Sequence, residues 1–160
     1  MRGKTIVIDR EYGSGGREIA KLVAQKLNVP FYDKELLTLA AQKSGICQEI
    51  FEHNDEKTTV SDMLPVTAGT GFGAGVGLGL QMPMNQRVFL AQFEVITNLA
   101  KEQSCVIVGR CADYVLRDMD HVTHIFLYAS LEKRVERIMR VENVDADKAR
   151  ELIRKTDKQR

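Results

Sequence analysis

Thr5-Ile6-Val7-Ile8-Asp9-Arg10-Glu11-Tyr12-Gly13-Ser14-Gly15-Gly16-Arg17-Glu18-Ile19-Ala20 runs from an apolar strand through a glycine turn into a helix. The β-branched run at Thr5 to Ile8 suits a buried parallel strand. Gly13, Gly15 and Gly16 tolerate backbone conformations and close approaches that a side chain would forbid. Ile19, Leu22, Val23 and Leu27 then recur at helical spacing, which predicts an amphipathic helix. Strand, glycine loop and helix N-terminus together aim several N–H groups and a positive helix end at one point, the arrangement of a phosphate site.

Working outward, Val29 to Tyr32 predicts a short second strand, and residues 34 to 44 a helix ending near Gly45. Residues 45 to 84 carry turn signals such as Pro65 and Pro83 but no clear periodicity. Phe89, Phe93, Ile96 and Ala100 fall on one face of a helix over 86 to 102. Cys105 to Val108 and Val122 to Tyr128 read as strands, and Ser130 and Asp145 as caps of two final helices. Strands alternating with helices predict an α/β fold, a three-layer parallel sheet in one domain of 160 residues. The last helix ends in charge at Arg160 with no closing strand, so a C-terminal strand is expected to be absent from this chain.

The net charge of +1 argues against a nucleic-acid or membrane partner recruited by the overall field. There is no apolar stretch of membrane-spanning length and no secretory leader, so a cytoplasmic location is expected. Cys47, Cys105 and Cys111 lack metal-ligand spacing, and the last two read as buried thiols. His53, His121 and His124 show no spacing for a metal or a triad and read as structural or surface residues. Alternating glycines from Gly69 to Gly79 follow no convincing strand and open no helix. They read as a loop, or a flap over substrate, and not as a dinucleotide fingerprint.

Arg10-Glu11-Tyr12-Gly13-Ser14-Gly15-Gly16-Arg17-Glu18-Ile19-Ala20, Phe31-Tyr32-Asp33-Lys34-Glu35, Val108-Gly109-Arg110-Cys111-Ala112-Asp113-Tyr114 and Lys155-Thr156-Asp157-Lys158-Gln159-Arg160 resemble the cytidylate kinase-like family. The resemblance implies a fold of the P-loop kinase type, with a flexible acceptor-binding insert near 33–85 and a helical lid near 130–160. It implies ATP and Mg2+ as cofactors, small nucleotide substrates, and γ-phosphoryl transfer to an acceptor such as CMP. A phosphate loop ordinarily ends in lysine followed by a hydroxyl residue that holds magnesium. Here Gly16 stands in the lysine place, Arg17 follows it, and Glu18 replaces the hydroxyl. Arg17 is then a candidate for the missing charge, and Glu18 with Asp9 for the metal. Lys34 and Leu39 stand where cytidylate kinases tend to have a serine and an arginine, which leaves cytosine specificity open.

On this reading the amides of Gly13, Ser14, Gly15 and Gly16, with Arg17 and Glu18, take the ATP phosphates. Arg110, just past a strand's C-terminal end, holds the acceptor's phosphate, and Asp113 orients it or acts on the acceptor. Asp33, Asp157 and Arg160 contact the acceptor, and Arg134 and Arg137 close over the transferring group. The plainer alternatives are a surface arginine at 110, a helix cap at Asp113, and solvated helices carrying Arg134, Arg137, Arg140 and Arg154. Two other functions fit the same residues: a nucleotide-binding module with little turnover, or a kinase for a non-nucleotide acceptor.

Overall fold

Thr5–Arg10 forms strand β1, and Phe31–Tyr32, Cys105–Val108 and Val122–Leu127 form β2, β3 and β4. The computed structural model describes residues 4–47, 50 and 84–159. All strand pairings are parallel, in the order β2-β3-β1-β4, with Ile8 opposite Val108 and Ile125. β-branched residues fill β1 and β3 because both faces of these central strands are covered. Ile8, Val106 and Val108 pack on one face, while Val7 and Ile107 on the other are wholly buried.

The helices with both ends among the described residues are α1 (Gly16–Leu27), α2 (Glu35–Ser44), α3 (Met84–Glu102), α4 (Ala112–Val115), α5 (Leu131–Glu142) and α6 (Ala146–Gln159). The chain divides into two compact units. One comprises Met1–Asp33 with Ile96–Arg160 and holds the sheet; the other is Lys34–Val95. In the second, Leu36, Leu37, Ala40 and Ala41 are buried along α2, and Phe89 meets Phe93 edge to face with centroids 6.0 Å apart.

Helix α1 does not bury the face its large residues suggest. Ile19, Leu22 and Leu27 are exposed, and the helix meets the sheet through Ala20 and Ala24, with Val23 beside them. Ala20 and Ala24, four apart, lie on one face of the helix and pack against Ile8, Val106 and Val108 of the sheet. The second strand is shorter than the sequence suggests. Asn28 ends α1 in the left-handed conformation and Val29 donates back to the Ala24 carbonyl, so pairing begins only when Val106 donates to Pro30 O. Asp145 caps α6 through its carboxylate to Lys148 N at 2.8 Å, as expected. Ser130 occupies the N-cap position of α5, but its side chain makes no capping bond. The sequence offered only a helix cap at Asp113 for the one-turn helix α4, which is too short to show a period; its N-cap is Cys111 and Asp113 lies in its first turn. The glycine run 69–79 and His53 lie outside the described residues. Among the described residues, no helix is long and apolar enough to cross a membrane.

Candidate functional site

Strands β1 and β3 end side by side, and Gly109 N donates to Ile8 O at 3.2 Å. The segments that leave them, residues 11–15 and 109–111, therefore emerge on the same edge of the sheet, beyond its carboxyl ends, where open α/β sheets place ligands.

The first segment is a tight turn. Ser14 donates to Glu11 O through both its amide, at 3.2 Å, and its hydroxyl, at 2.8 Å. Gly13 and Gly15 take φ of 83° and 86°, a region that L side chains rarely adopt. Gly15 is the N-cap of α1, and the first helical bond runs from Ile19 N to Gly15 O. The amides of Gly16, Arg17 and Glu18 thus precede the helical ladder and carry the positive end of the helix. The Ser14 amide, by contrast, is engaged inside the turn.

The second group centres on Asp33, which is 3% exposed at the end of β2. Arg17 Nε lies 2.8 Å from its Oδ2, and Arg110 Nη2 lies 3.6 Å from its Oδ1. A carboxylate this deep is sustained by such pairing. Arg110 reaches it from a left-handed turn: Gly109, Arg110 and Cys111 have φ of 64°, 62° and 53°. Each L residue there costs about 1–2 kcal/mol, so the surrounding packing holds Arg110 in a conformation it would not choose. Burial pushes the Cys111 thiol up to about 11, and the negative charges of Asp113 and Asp9 add to the effect while Arg110 opposes it. Asp9 and Asp113 therefore act electrostatically on the same turn; Asp113 is exposed in the first turn of α4.

Helices α5 and α6 pack together through Val135, Ile138, Ala149 and Ile153, and Tyr12 from the glycine loop packs against them. Arg134 is 6% exposed and meets three partners. It donates to Tyr12 O at 2.8 Å, pairs with Glu11 Oε2 at 3.0 Å, and pairs with Asp157 Oδ2. Asp157 Oδ1 accepts the Tyr12 amide at 2.8 Å, and Tyr12 Oη donates to Glu142 Oε1 at 2.9 Å. Arg137 pairs with Glu18 and lays its guanidinium over Gly15, where an added methyl group would lie 3.0 Å from Cζ. Arg140 and Arg154 are exposed on their helices, and Arg160 lies outside the described residues.

The structure thus collects the expected residues into three adjoining groups: the turn at 13–18, the arginine pair on Asp33, and the α5 arginines. It also assigns work to residues that sequence reasoning passed over, Glu11, Tyr12 and Arg10. The Arg10 stem covers Gly16, and its guanidinium reaches Gly109. Among the described residues, no three of His, Cys, Asp and Glu cluster as a metal cage. Magnesium carried on a nucleotide asks for only one or two carboxylates besides phosphate and water, and Glu18 and Asp9 flank the loop. His121 Nε2 lies 3.1 Å from Ala100 O, and His124 is exposed on β4. Among the described residues Cys47, Cys105 and Cys111 form no disulfide, and Cys105 is wholly buried.

Fold and site together define a parallel α/β domain with its charged side chains gathered past the carboxyl ends of the strands. The chain belongs to the cytidylate kinase-like family, whose model matches residues 5–160. It is similar to a crystal structure of an uncharacterized protein from Eubacterium ventriosum ATCC 27560, with a TM-score of 0.64 and 28% identity. That match covers 97% of this chain and 71% of the other. No curated protein matches the chain.

Proposed function

We propose that the protein is a cytoplasmic kinase that transfers the γ-phosphoryl group of ATP to a small phosphorylated acceptor, most readily a nucleoside monophosphate such as CMP. The observation that carries this reading is the pairing of Arg17 and Arg110 on buried Asp33, beside a glycine turn that opens a helix. Membership of the cytidylate kinase-like family supports the same class of reaction.

Phosphoryl transfer asks the protein for position and positive charge more than for covalent chemistry. The amides at Gly15, Gly16, Arg17 and Glu18 receive the ATP phosphates, and Gly13 and Ser14 shape the turn that presents them. Arg110 binds the acceptor phosphate, Asp33 holds Arg110 and Arg17 in register, and Asp113 sits at the rim of that subsite. Arg137 crosses Gly15 and neutralises the transferring group, exchanging Glu18 for phosphate. Arg134 and Asp157 act on the loop backbone through Tyr12 and keep α5 over it; Arg160, outside the described residues, is assigned to the acceptor by the family resemblance alone. Glu18 and Asp9 are the carboxylates that would hold magnesium entering with ATP, and the metal would supply charge neutralisation to the phosphates.

A coupled assay of ATP consumption with magnesium and each nucleoside monophosphate in turn tests this. Turnover with one of them is expected. ATP binding without turnover points to a nucleotide-binding module, and turnover only with an unrelated phosphorylated acceptor moves the substrate class.

A further inference from the structure

Gly16 is a glycine without a backbone reason. It is the first residue of α1, and its φ lies outside the left-handed region that favours glycine. What forbids a side chain there is another side chain. A methyl group on Gly16 would lie 2.6 Å from Arg10 Cβ and 2.7 Å from Arg10 Cγ. These are the inner atoms of the arginine stem, which cannot swing aside as a guanidinium tip can. The stem then runs on to Gly109, where a Cβ would collide with Arg10 Nη1. Two glycines on different segments, one after β1 and one after β3, thus leave a channel that a single arginine fills.

We infer that Arg10 supplies, from the start of the glycine loop, the fixed positive charge that such a loop ordinarily draws from a lysine at its end, and that Gly16 is small so that Arg10 can lie there. The inference rests on the phosphate-binding reading of the loop. The other candidate for this charge, Arg17, has a side chain 58% exposed with Nε on Asp33 at 2.8 Å, and none of the described glycines makes room for it. Arg10 is half-buried at the last position of β1, so its stem is held by the sheet and not by a mobile loop. Its guanidinium, at the junction of the glycine turn and the Gly109 turn, lies between the helix end that receives ATP phosphates and the residue, Arg110, that receives the acceptor. A guanidinium there serves both ends of the transferring group with a planar fork that suits phosphate oxygens.

The test is calorimetric binding of ATP and of tripolyphosphate to the full chain carrying Arg10→Ala, Gly16→Lys, or the reciprocal pair Arg10→Gly with Gly16→Lys. Arg10→Ala is expected to weaken both ligands about tenfold or more, the loss of one charge-assisted phosphate contact. Gly16→Lys alone is expected to weaken them too, because two stems compete for one space. The reciprocal pair is expected to recover most of the affinity by restoring a lysine in an emptied channel. In the unaltered chain, tripolyphosphate is expected to slow modification of Arg10 by phenylglyoxal, read by peptide mass. Affinity unchanged in Arg10→Ala, or Arg10 modified at the same rate with and without bound tripolyphosphate, overturns the inference and leaves the kinase reading standing. An unaltered chain that binds neither ligand removes both. Should Arg10→Ala fail to fold, the protection measurement decides.

Discussion

The carboxylate of Asp157 on α6 holds two groups at once: its Oδ2 pairs with Arg134 Nη2 on α5, and its Oδ1 takes the Tyr12 amide of the glycine loop at 2.8 Å. Arg134 closes the circuit by donating to Tyr12 O at 2.8 Å. Both main-chain polar groups of one loop residue are therefore satisfied by side chains of the α5–α6 pair. The loop's shape and the seating of these helices are one structural event, and the glycine turn inherits its rigidity from residues more than a hundred positions away.

Removing Arg134 strips the donor from Tyr12 O and the counter-charge from Glu11 and Asp157, whose side chains are each 31% exposed. Arg134→Met is expected to lower the unfolding free energy by about 1–3 kcal/mol. Arg137→Ala, whose partner Glu18 is largely exposed, is expected to change it by less than about 1 kcal/mol. Urea unfolding of the two variants checks the contrast, and equal losses would refute a structural role for Arg134 distinct from that of Arg137.

Arg110 reaches buried Asp33 from a left-handed turn, and its side chain is 12% exposed. Arg110→Ala is expected to lower kcat/KM for phosphoryl transfer by about 100-fold or more while leaving the circular dichroism spectrum unchanged. Arg110→Lys is expected to recover little, since a point charge does not reproduce the planar fork. Full activity in Arg110→Lys would show that charge alone is required there.

Gly15 combines a φ of 86° with the Arg137 guanidinium lying across it. Gly15→Ala carries a left-handed penalty of about 1–2 kcal/mol and pushes Arg137 off the turn. Reduced thermal stability together with weakened ATP binding is expected; a thermal unfolding midpoint and affinity both equal to those of the unaltered chain would contradict the geometry.

The Cys111 thiol is raised from 9.0 to about 11 by burial and by the charges of Asp113 and Asp9. Its folded form therefore holds the proton more tightly than its unfolded form. The associated stability is fully present below pH 9 and is lost as pH rises from 9 toward 11, amounting to about 3 kcal/mol. Urea unfolding between pH 8 and pH 11 is expected to show the unaltered chain losing more stability than Cys111→Ser. The same shift keeps the thiol protonated near neutral pH, and slow alkylation by iodoacetamide at pH 7.5 is expected.

Much of the architecture could be read from residue order. Alternating strands and helices predicted the parallel sheet, and the glycine cluster between Ile8 and Ile19 marked the strand-to-helix turn that the structure shows. Local chemistry suffices there, because β-branching, glycine and capping act within a few residues. The buried face of α1 was misleading for an equally physical reason: Ala20 and Ala24 pack because they are small, whereas hydrophobicity alone ranks Ile19, Leu22 and Leu27 above them.

What residue order settled was the alternation of strands and helices around a parallel sheet and the glycine turn that joins β1 to α1. Which side chain faces which was settled by folding. Arg10 lies against Gly16 and Gly109, Arg17 meets Asp33, and Arg134 joins Glu11 to Asp157. Such pairings depend on the parallel register and on how closely α1 approaches the sheet. Charge acts through space, and no periodicity along a chain records that an arginine at one end of a loop will fill the gap left by a glycine at the other.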